Sequence, residues 1–380
     1  MRKLATVLMA LGMAAALAGC GSKESAPTTA ASAAPAPESK TEAPASADTS
    51  ADGAESENKK PVPSGKPLII GTMPNHVGIP VHQADVAGYF KDAGLDVMIE
   101  IFATGAPINE AMAAGSLDVA VSGMASVYNL ATGMYTYVGD GTITNGGDGI
   151  YARPDSPIAL AERNEKGVLK DKELLRGVQI LGPLATVGHY QATKYMEAVG
   201  LTSNDYNMVA MDFAQAYQAF IAGEGDLIAV TVPYSTQLEA AGYVKVCDMT
   251  TISDSPIIDT VYVQNKVAEE RQDDLELFLE CYYKACEDLM KDKDMRRQLS
   301  LDWYTSEGIN TTDADMDREL QVKEYYSIDT IDPDKIGQFM VELGKFYSTQ
   351  DMVAKEDVPK IEASVNNTFL KNIKARAAQK

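Results

Sequence analysis

The 380-residue chain has little cysteine, little histidine and fewer basic than acidic side chains. Its 33 lysine and arginine residues against 54 aspartate and glutamate residues give a formal net charge of -21. A charge of this sign argues against a basic surface for DNA, RNA or anionic lipid. It does not exclude a small anionic ligand, because a cleft can present backbone N–H groups locally.

The small number of cysteines also limits how many disulfide bonds the chain can form. Apart from Cys20 near the N-terminus, the chain has Cys247, Cys281 and Cys286. This odd number in a secreted chain does not imply a disulfide framework. Buried free thiols are favoured over a redox or metal-binding role.

Several catalytic motifs are absent from the sequence. It contains no Gly-Lys-Ser/Thr phosphate loop, no Gly-x-Ser-x-Gly elbow, no His-Glu-x-x-His and no Cys-x-x-Cys. His189 has no evident nucleophile beside it, so we interpret it as a ligand donor or a helix-start residue. A metal site at His76 and His82 is a weaker alternative, because six residues is not the i, i+4 spacing that zinc favours. We therefore expect no enzymatic activity, no metal and no cofactor.

The first 20 residues are typical of a secretory signal. A basic start at residues 1–3 precedes an apolar stretch at residues 4–16, and the segment ends in Leu-Ala-Gly-Cys, which resembles the bacterial lipobox. This predicts lipidation of Cys20, with an ordinary signal peptide and a chance cysteine as the alternative. Residues 21–66 are rich in Ala, Ser, Pro, Thr and Glu, which predicts a disordered tether.

The remaining chain is long for one hydrophobic core and alternates predicted strands with predicted helices. Strands are predicted at residues 68–72, 96–102 and 117–121, with helices at residues 77–93 and 108–114. This alternation indicates an α/β fold with parallel sheets covered on both faces.

One helix-Gly-x-x-Asp-strand unit occurs twice. Ala111, Ala114, Gly115 and Asp118 recur as Ala219, Ala222, Gly223 and Asp226 at a constant offset of 108 residues. Two lobes of similar construction are therefore predicted. The glycines fit left-handed helix ends, and the aspartates are interpreted as capping residues rather than catalytic ones.

The chain must also cross between the lobes. Segments near 146–157 and 253–264 suit this role and are predicted to form a two-stranded hinge. The helical segments after residue 264 should pack on the first lobe. We thus assign residues 67–150 and 262–380 to a discontinuous first lobe and residues 151–261 to the second.

Residues 79–123 carry a family pattern: Pro-x-x-x-Ala-x-x-x-Gly-Tyr-Phe, Gly-Leu-x-Val and Ala-Gly-x-x-Asp. This pattern resembles the substrate-binding proteins of ABC transporters, in the branch that binds taurine, aliphatic sulfonates and nitrate. That branch is related to the thiamine-precursor (NMT1/THI5-like) binders. The segment at 176–201 is similar to the family's second-lobe opening. The resemblance implies a two-lobed periplasmic-binding-protein-like fold of type II with two crossover hinge segments.

The same resemblance places a ligand cleft at the strand ends of both lobes, in agreement with the general behaviour of open α/β sheets. Helix N-termini there would direct N–H groups at the ligand. The implied ligand-binding residues are Asn75, His76, Thr104, Gly105, Ala106, Ser122, Gly123, Met124, Thr186, Val187, Gly188, His189, Tyr190, Asp212 and Tyr234.

The sequence thus predicts an extracytoplasmic, lipid-anchored and monomeric binding protein that delivers a small organic anion or zwitterion to an ABC permease. A sulfonate or taurine-like ligand is favoured. A thiamine-precursor pyrimidine is the alternative, and an enzyme on the same fold is less favoured. The second-lobe loop lacks Arg and Lys, and Arg153 in the crossover could serve the ligand or only the surface.

Overall fold

The computed structural model of the protein describes residues 60–253 and 256–379. The predicted signal peptide, Cys20 and the tether as far as residue 59 lie outside the described residues. Within the described ranges, no helix combines the length and the apolar character that crossing a bilayer requires.

Eleven strands form two mixed sheets in this part of the chain. In chain order they are β1 (Leu68–Thr72), β2 (Val97–Ile101), β3 (Val119–Ser122), β4 (Tyr135–Thr144), β5 (Gly149–Ala152), β6 (Gln179–Gly182), β7 (Asn207–Ala210), β8 (Leu227–Val230), β9 (Val244–Asp248), β10 (Ile257–Gln264) and β11 (Lys323–Tyr325).

Sixteen α-helices among the described residues cover these sheets. They are α1 (Ile79–Val86), α2 (Tyr89–Asp92), α3 (Gly105–Ala113), α4 (Ser126–Ala131), α5 (Pro157–Leu160), α6 (Val187–Ala198), α7 (Phe213–Ile221), α8 (Tyr234–Ala240), α9 (Met249–Ile252), α10 (Asn265–Glu270), α11 (Gln272–Lys291), α12 (Lys293–Ser306), α13 (Asp313–Val322), α14 (Gln338–Thr349), α15 (Val358–Ala363) and α16 (Thr368–Ala377). Short 3₁₀ turns lie at Lys172–Leu175 and Lys355–Asp357. The helix predicted at 77–93 is two helices, because Gly88 adopts a left-handed conformation with φ of 77°.

The two sheets share one topology. The first has the order β11-β4-β10-β3-β1-β2 and the second has the order β7-β6-β8-β5-β9. In each, one strand that arrives from the other half of the molecule is inserted antiparallel near the centre: β10 beside β3 and β4, and β5 beside β8 and β9. The predicted α/β class and two-lobed architecture are confirmed, while the expectation of purely parallel sheets is wrong.

The sequence repeat has the same structural role in both lobes. Asp118 accepts a hydrogen bond from the Ile69 N–H at 3.0 Å, and Asp226 accepts one from the Gln179 N–H at 2.8 Å. Each aspartate therefore ties the turn after its helix to the neighbouring parallel strand, β1 in the first sheet and β6 in the second. Gly115 ends α3 with φ of 75°, a conformation that an L side chain would strain.

The chain crosses between the sheets twice, at residues 145–148 and between α9 and β10. The predicted two-stranded hinge is wrong in detail, because β5 and β10 lie in different sheets and pair with strands of their own sheets. Burial explains the difference: the side chains of β5 are enclosed and complete the core of the second sheet.

Helices from the C-terminal part pack with the first sheet into one hydrophobic core that includes Phe278, Tyr282, Met340 and Tyr347. We call this body the first lobe, and the second sheet with α5 to α9 the second lobe. The residue boundaries assigned to the lobes from sequence stay a prediction. Cys247, Cys281 and Cys286 are all buried free thiols, and burial raises the pKa of Cys281 to about 12.

Candidate functional site

The predicted site residues lie along the edge of each sheet where the parallel strands end. In the first lobe this edge carries the loops after β1, β2 and β3, and in the second lobe the loops after β6, β7 and β8. Both crossovers join these same edges, since β4 ends and β10 begins there. The two edges are therefore the walls that a ligand between the lobes would meet.

The loop after β1 is fixed by its backbone. Asn75 Oδ1 accepts a hydrogen bond from the Val77 N–H at 3.0 Å. The carbonyl oxygen of His76 accepts from Thr142 Oγ1 at 3.2 Å and from the Tyr325 hydroxyl at 2.9 Å. These bonds bind the loop to β4 and β11 and hold the His76 imidazole at the first-lobe edge.

The loops after β2 and β3 approach each other closely. A Cβ atom on Gly105 would lie 3.1 Å from Ser122 Oγ and 2.9 Å from Ala125 Cβ, so glycine is required for this approach. Ser122 is fully buried, and its hydroxyl lacks a partner among the described residues. Thr104 precedes α3 without capping it, whereas Ala106 is exposed. The N–H groups at the start of α3 are thus without a side-chain cap.

Met124 is 3% exposed and belongs to the hydrophobic core of the first lobe. The helix that follows Gly123 begins at Ser126 and has only six residues. Its weak dipole offers less to a ligand than the longer α3 and α6 do.

In the second lobe, the loop before α6 folds back on itself. Ala185 has φ of 58°, and its N–H donates to His189 Nδ1 at 3.1 Å. The Thr186 hydroxyl donates to the Pro183 carbonyl oxygen at 2.9 Å, and no side chain caps the helix. The start of α6, including Val187, therefore has N–H groups that a ligand can use. Burial lowers the pKa of His189, which favours its neutral form.

The remaining second-lobe residues have structural partners. Asp212 caps α7 by accepting from the Gln215 N–H at 2.8 Å. Tyr234 packs against Tyr217 in a tilted arrangement, with the ring centres 5.2 Å apart. Arg153 donates to backbone carbonyl oxygens, among them Gly225 at 2.7 Å, and its guanidinium lies over the Phe220 ring. Arg153 is thus used within the second lobe.

Tyr190 joins the two lobes. This α6 residue is 7% exposed and meets the rings of Phe339, Phe346 and Tyr347 from the first lobe at 5.4 to 6.4 Å. Lys194, one turn later, lies 3.6 Å from the centre of the Phe346 ring. In this arrangement the Tyr190 ring is occupied by contacts between the lobes. Gly188 packs against Ala229, where an added Cβ would lie 3.1 Å from the alanine methyl group.

A buried charge pair that the sequence reasoning missed lies beside the crossover. Lys323 Nζ lies 3.3 Å from Asp148 Oδ1 and donates to Thr144 Oγ1 at 3.1 Å. Both charged side chains are 1% exposed. Burial raises the pKa of Asp148 although Lys323 opposes this. The pair ties the crossover of residues 145–148 to the edge of the first sheet.

Asp259 is a third residue that the sequence reasoning missed, although it lies in the predicted crossover segment. Its Oδ2 lies 3.8 Å from His76 Nε2. Burial raises the pKa of Asp259 to about 7, with Lys323 opposing and Asp148 adding to the rise. Burial, together with Lys323, also lowers the pKa of His76 well below its usual value, so His76 is neutral at pH 7.

The raised pKa of Asp259 predicts a pH-dependent stability. Because the folded state holds this proton more tightly than the unfolded state, the stabilising contribution is largest at low pH and is lost as pH rises towards about 7. Between pH 5 and pH 8 the parent protein should lose about 2 to 3 kcal/mol relative to Asp259→Asn. Urea unfolding at both pH values measures this. A difference that stays constant with pH, or that also appears for exposed Asp155→Asn, would contradict it.

Two surface cavities of the first lobe lie away from the predicted site residues. One of about 510 Å³ is lined by residues of α11 to α13, including Lys293, Arg296 and Asp317. The other, of about 320 Å³, lies beside α14 and includes Gly337 and Glu342. Neither cavity is lined by a predicted site residue.

Two sheets of one topology, joined twice and facing each other across their strand ends, define the class of two-lobed periplasmic binding proteins. The chain belongs to the family described as NMT1/THI5 like, whose pattern matches residues 73–295.

Known proteins are similar over most of the chain. A protein of Brachyspira hyodysenteriae, named as an ABC transporter periplasmic binding protein, is 28% identical over 306 residues, covering 80% of this chain and 88% of that protein. The alkanesulfonate-binding protein SsuA of Xanthomonas axonopodis, bound to MOPS, has a TM-score of 0.61 at 16% identity and covers 79% of this chain and 98% of its own. The nitrate-binding protein NrtA of Synechocystis has a TM-score of 0.67 at 10% identity, covering 83% and 89%. These structures are similar in fold.

Proposed function

We propose that the protein is the extracytoplasmic solute-binding lipoprotein of an ABC importer, which holds a small organic anion or zwitterion of the sulfonate or taurine type between its lobes. The observation that carries this is the pair of helix N-termini without side-chain caps, α3 in the first lobe and α6 in the second, at the two facing edges. Each supplies N–H donors and a favourable dipole for an oxyanion. Two solved structures of similar fold are named as alkanesulfonate-binding and nitrate-binding proteins, which supports an anionic ligand.

Ligand capture would follow from the same geometry. Closing the lobes exchanges the ligand's hydration for fixed N–H donors and buries most of its surface. A ligand that contacts both edges binds the closed arrangement more tightly than the open one and so shifts the population towards it. The permease would then recognise the closed lobes.

Thermal-shift measurements with sulfonates, amino acids, carboxylates and pyrimidines test the ligand class. A ligand at a hundredfold excess over its Kd should stabilise the protein by about 2.7 kcal/mol.

Ser122→Ala should weaken binding by roughly 1 to 3 kcal/mol, because the donor removed leaves a ligand oxygen unpaired. The exposed Ser116→Ala serves as the matched control. Equal binding by Ser122→Ala and Ser116→Ala would show that the cleft assignment is wrong. Thr186→Val tests the second wall, although it also removes the bond to Pro183.

A thiamine-precursor pyrimidine is the second candidate ligand. The observation that favours it is the pair of Asp259 and neutral His76 at the first-lobe edge, because a carboxylate accepts hydrogen bonds from an exocyclic amino group. A screen in which only pyrimidines raise the melting temperature would replace the sulfonate proposal with this one.

The proposed lipid anchor at Cys20 is tested separately. Diacylated cysteine holds a protein firmly at a membrane, because two or more acyl chains act together. Cys20→Ala should therefore move the protein from the membrane pellet to the soluble fraction, whereas Ser22→Ala should leave it in the pellet. Membrane pelleting of Cys20→Ala, with no lipid mass on the N-terminal peptide of the parent protein, would overturn the anchor.

A further inference from the structure

The Asp259 carboxylate is buried at the first-lobe edge without a complete set of donors. The residue is 5% exposed, and Oδ2 is enclosed with no hydrogen-bond partner among the described residues. Burial without a full set of donors disfavours the charged form of this carboxyl, in line with its raised pKa. A ligand that brings a hydrogen-bond donor to Oδ2 would therefore favour the carboxylate.

The donors around Asp259 are used by other groups or lie too far away. The Thr142 hydroxyl lies close enough to Asp259 to lower the pKa of its carboxyl, but it also donates to the carbonyl oxygen of His76. The Lys323 ammonium contacts Thr144 and Asp148. His76 Nε2 is 3.8 Å from Oδ2, which exceeds a hydrogen-bond length.

The carboxylate faces the predicted ligand cleft through Gly123. A Cβ atom on Gly123 would lie 3.4 Å from Asp259 Oδ1 and 3.9 Å from Met73 Cε. Gly123 directly follows β3, at the edge where the ligand is expected. Because glycine has no side chain, no Cβ stands between this strand end and Oδ1, and His76 Nε2 lies 3.8 Å from Oδ2 of the same carboxyl.

We propose that the ligand presents an N–H donor to Asp259, in the space bounded by Gly123 and His76. This rests on the proposed function and narrows its ligand class. The donor is the ammonium group of an aminosulfonate or the amino group of an aminopyrimidine. Nitrate and simple alkanesulfonates carry only acceptor oxygens, so the carboxylate disfavours them at this position. The first-lobe edge thus selects ligands that carry an amino group, while the helix N-termini bind the oxyanion of the ligand.

Matched ligand pairs test this directly by calorimetry on the purified protein. The first pair is taurine and ethanesulfonate, which differ only in the amino group; the second is 4-amino-2-methylpyrimidine and 2-methylpyrimidine. The amino member of at least one pair should bind roughly tenfold to a hundredfold more tightly. In Asp259→Asn this preference should disappear, since the amide can donate to an acceptor, whereas exposed Asp155→Asn should keep it.

A second variant guards against a purely structural effect of Asp259→Asn. Gly123→Ala places a methyl group between the cleft and Oδ1, so it should reduce the amino preference while the unfolding transition stays at the parent position. Equal binding of taurine and ethanesulfonate, with no amino preference in the pyrimidine pair, would overturn the inference and leave the sulfonate proposal standing. An amino preference confined to the pyrimidine pair and lost in Asp259→Asn would support the inference and refute the sulfonate proposal. A preference that survives Asp259→Asn overturns the inference, and binding of none of the four probes overturns both.

Discussion

Replacing Lys323 with methionine should lower the free energy of unfolding by about 3 to 5 kcal/mol. The substitution keeps most of the apolar volume but removes the only ammonium within 4 Å of Asp148 among the described residues. Asp148 is 1% exposed, so it would be left as a buried charge without a partner. Burial already raises the pKa of Asp148, so the carboxyl can escape part of this cost by protonation. The loss should therefore be larger at pH 8 than at pH 5.

Urea unfolding of four proteins measures the effect. Asp148→Asn combined with Lys323→Met removes both charges and should recover a large part of the lost stability. Lys335→Met is the matched control, because Lys335 and its partner Asp332 are exposed and such pairs contribute about 0 to 1 kcal/mol. If Lys323→Met is no more destabilising than Lys335→Met, the pair has no structural role.

Tyr190→Ala should open the protein in the absence of ligand. Truncating a buried aromatic side chain costs about 3 to 5 kcal/mol, and the rings that Tyr190 meets belong to the other lobe. The cost therefore falls on the closed arrangement and should lower its population relative to the open one by about a hundredfold or more. Small-angle scattering should show a larger radius of gyration than for the parent protein.

Tyr190→Phe is the control for this experiment. It keeps the ring that packs on Phe339, Phe346 and Tyr347 and removes only the hydroxyl, so its scattering should equal that of the parent. Affinity for a cognate ligand should fall in Tyr190→Ala and remain in Tyr190→Phe, since a less populated closed state weakens binding. Identical scattering profiles for Tyr190→Ala and the parent would show that Tyr190 does not hold the lobes together.

The two-lobed α/β architecture could be predicted from local sequence patterns. The strand at Leu68–Thr72 and the repeat that contains Asp118 and Asp226 depend on neighbouring residues only, and each aspartate binds the backbone that its repeat unit predicts. The strand-end positions of Ser122, Gly123 and Thr186 follow from the same patterns, because parallel strands end at one edge of a sheet. Their role in binding stays a prediction.

Tertiary structure decided what lies beside those residues. The insertion of β5 and β10 into opposite sheets is a pairing of distant segments, and no periodicity in either strand specifies its neighbours. That insertion brings Asp259 to His76 from a distant part of the chain, and β11 brings Lys323 to Asp148. The sequence predicts that Tyr190 is a cleft residue, but in the structure its ring packs on α14 of the other lobe.

The sequence by itself determined the elements, the repeat and the edge on which a ligand site would lie, because each element depends on a local pattern and the repeat is one local pattern that occurs twice. Only the tertiary structure decided which charges meet at that edge. Burial sets the cost of a charge, and burial depends on strands and helices that join from distant parts of the chain. Asp259 illustrates this difference. In the sequence it is one residue of a crossover segment, and in the folded protein it is the carboxylate that we propose selects the ligand.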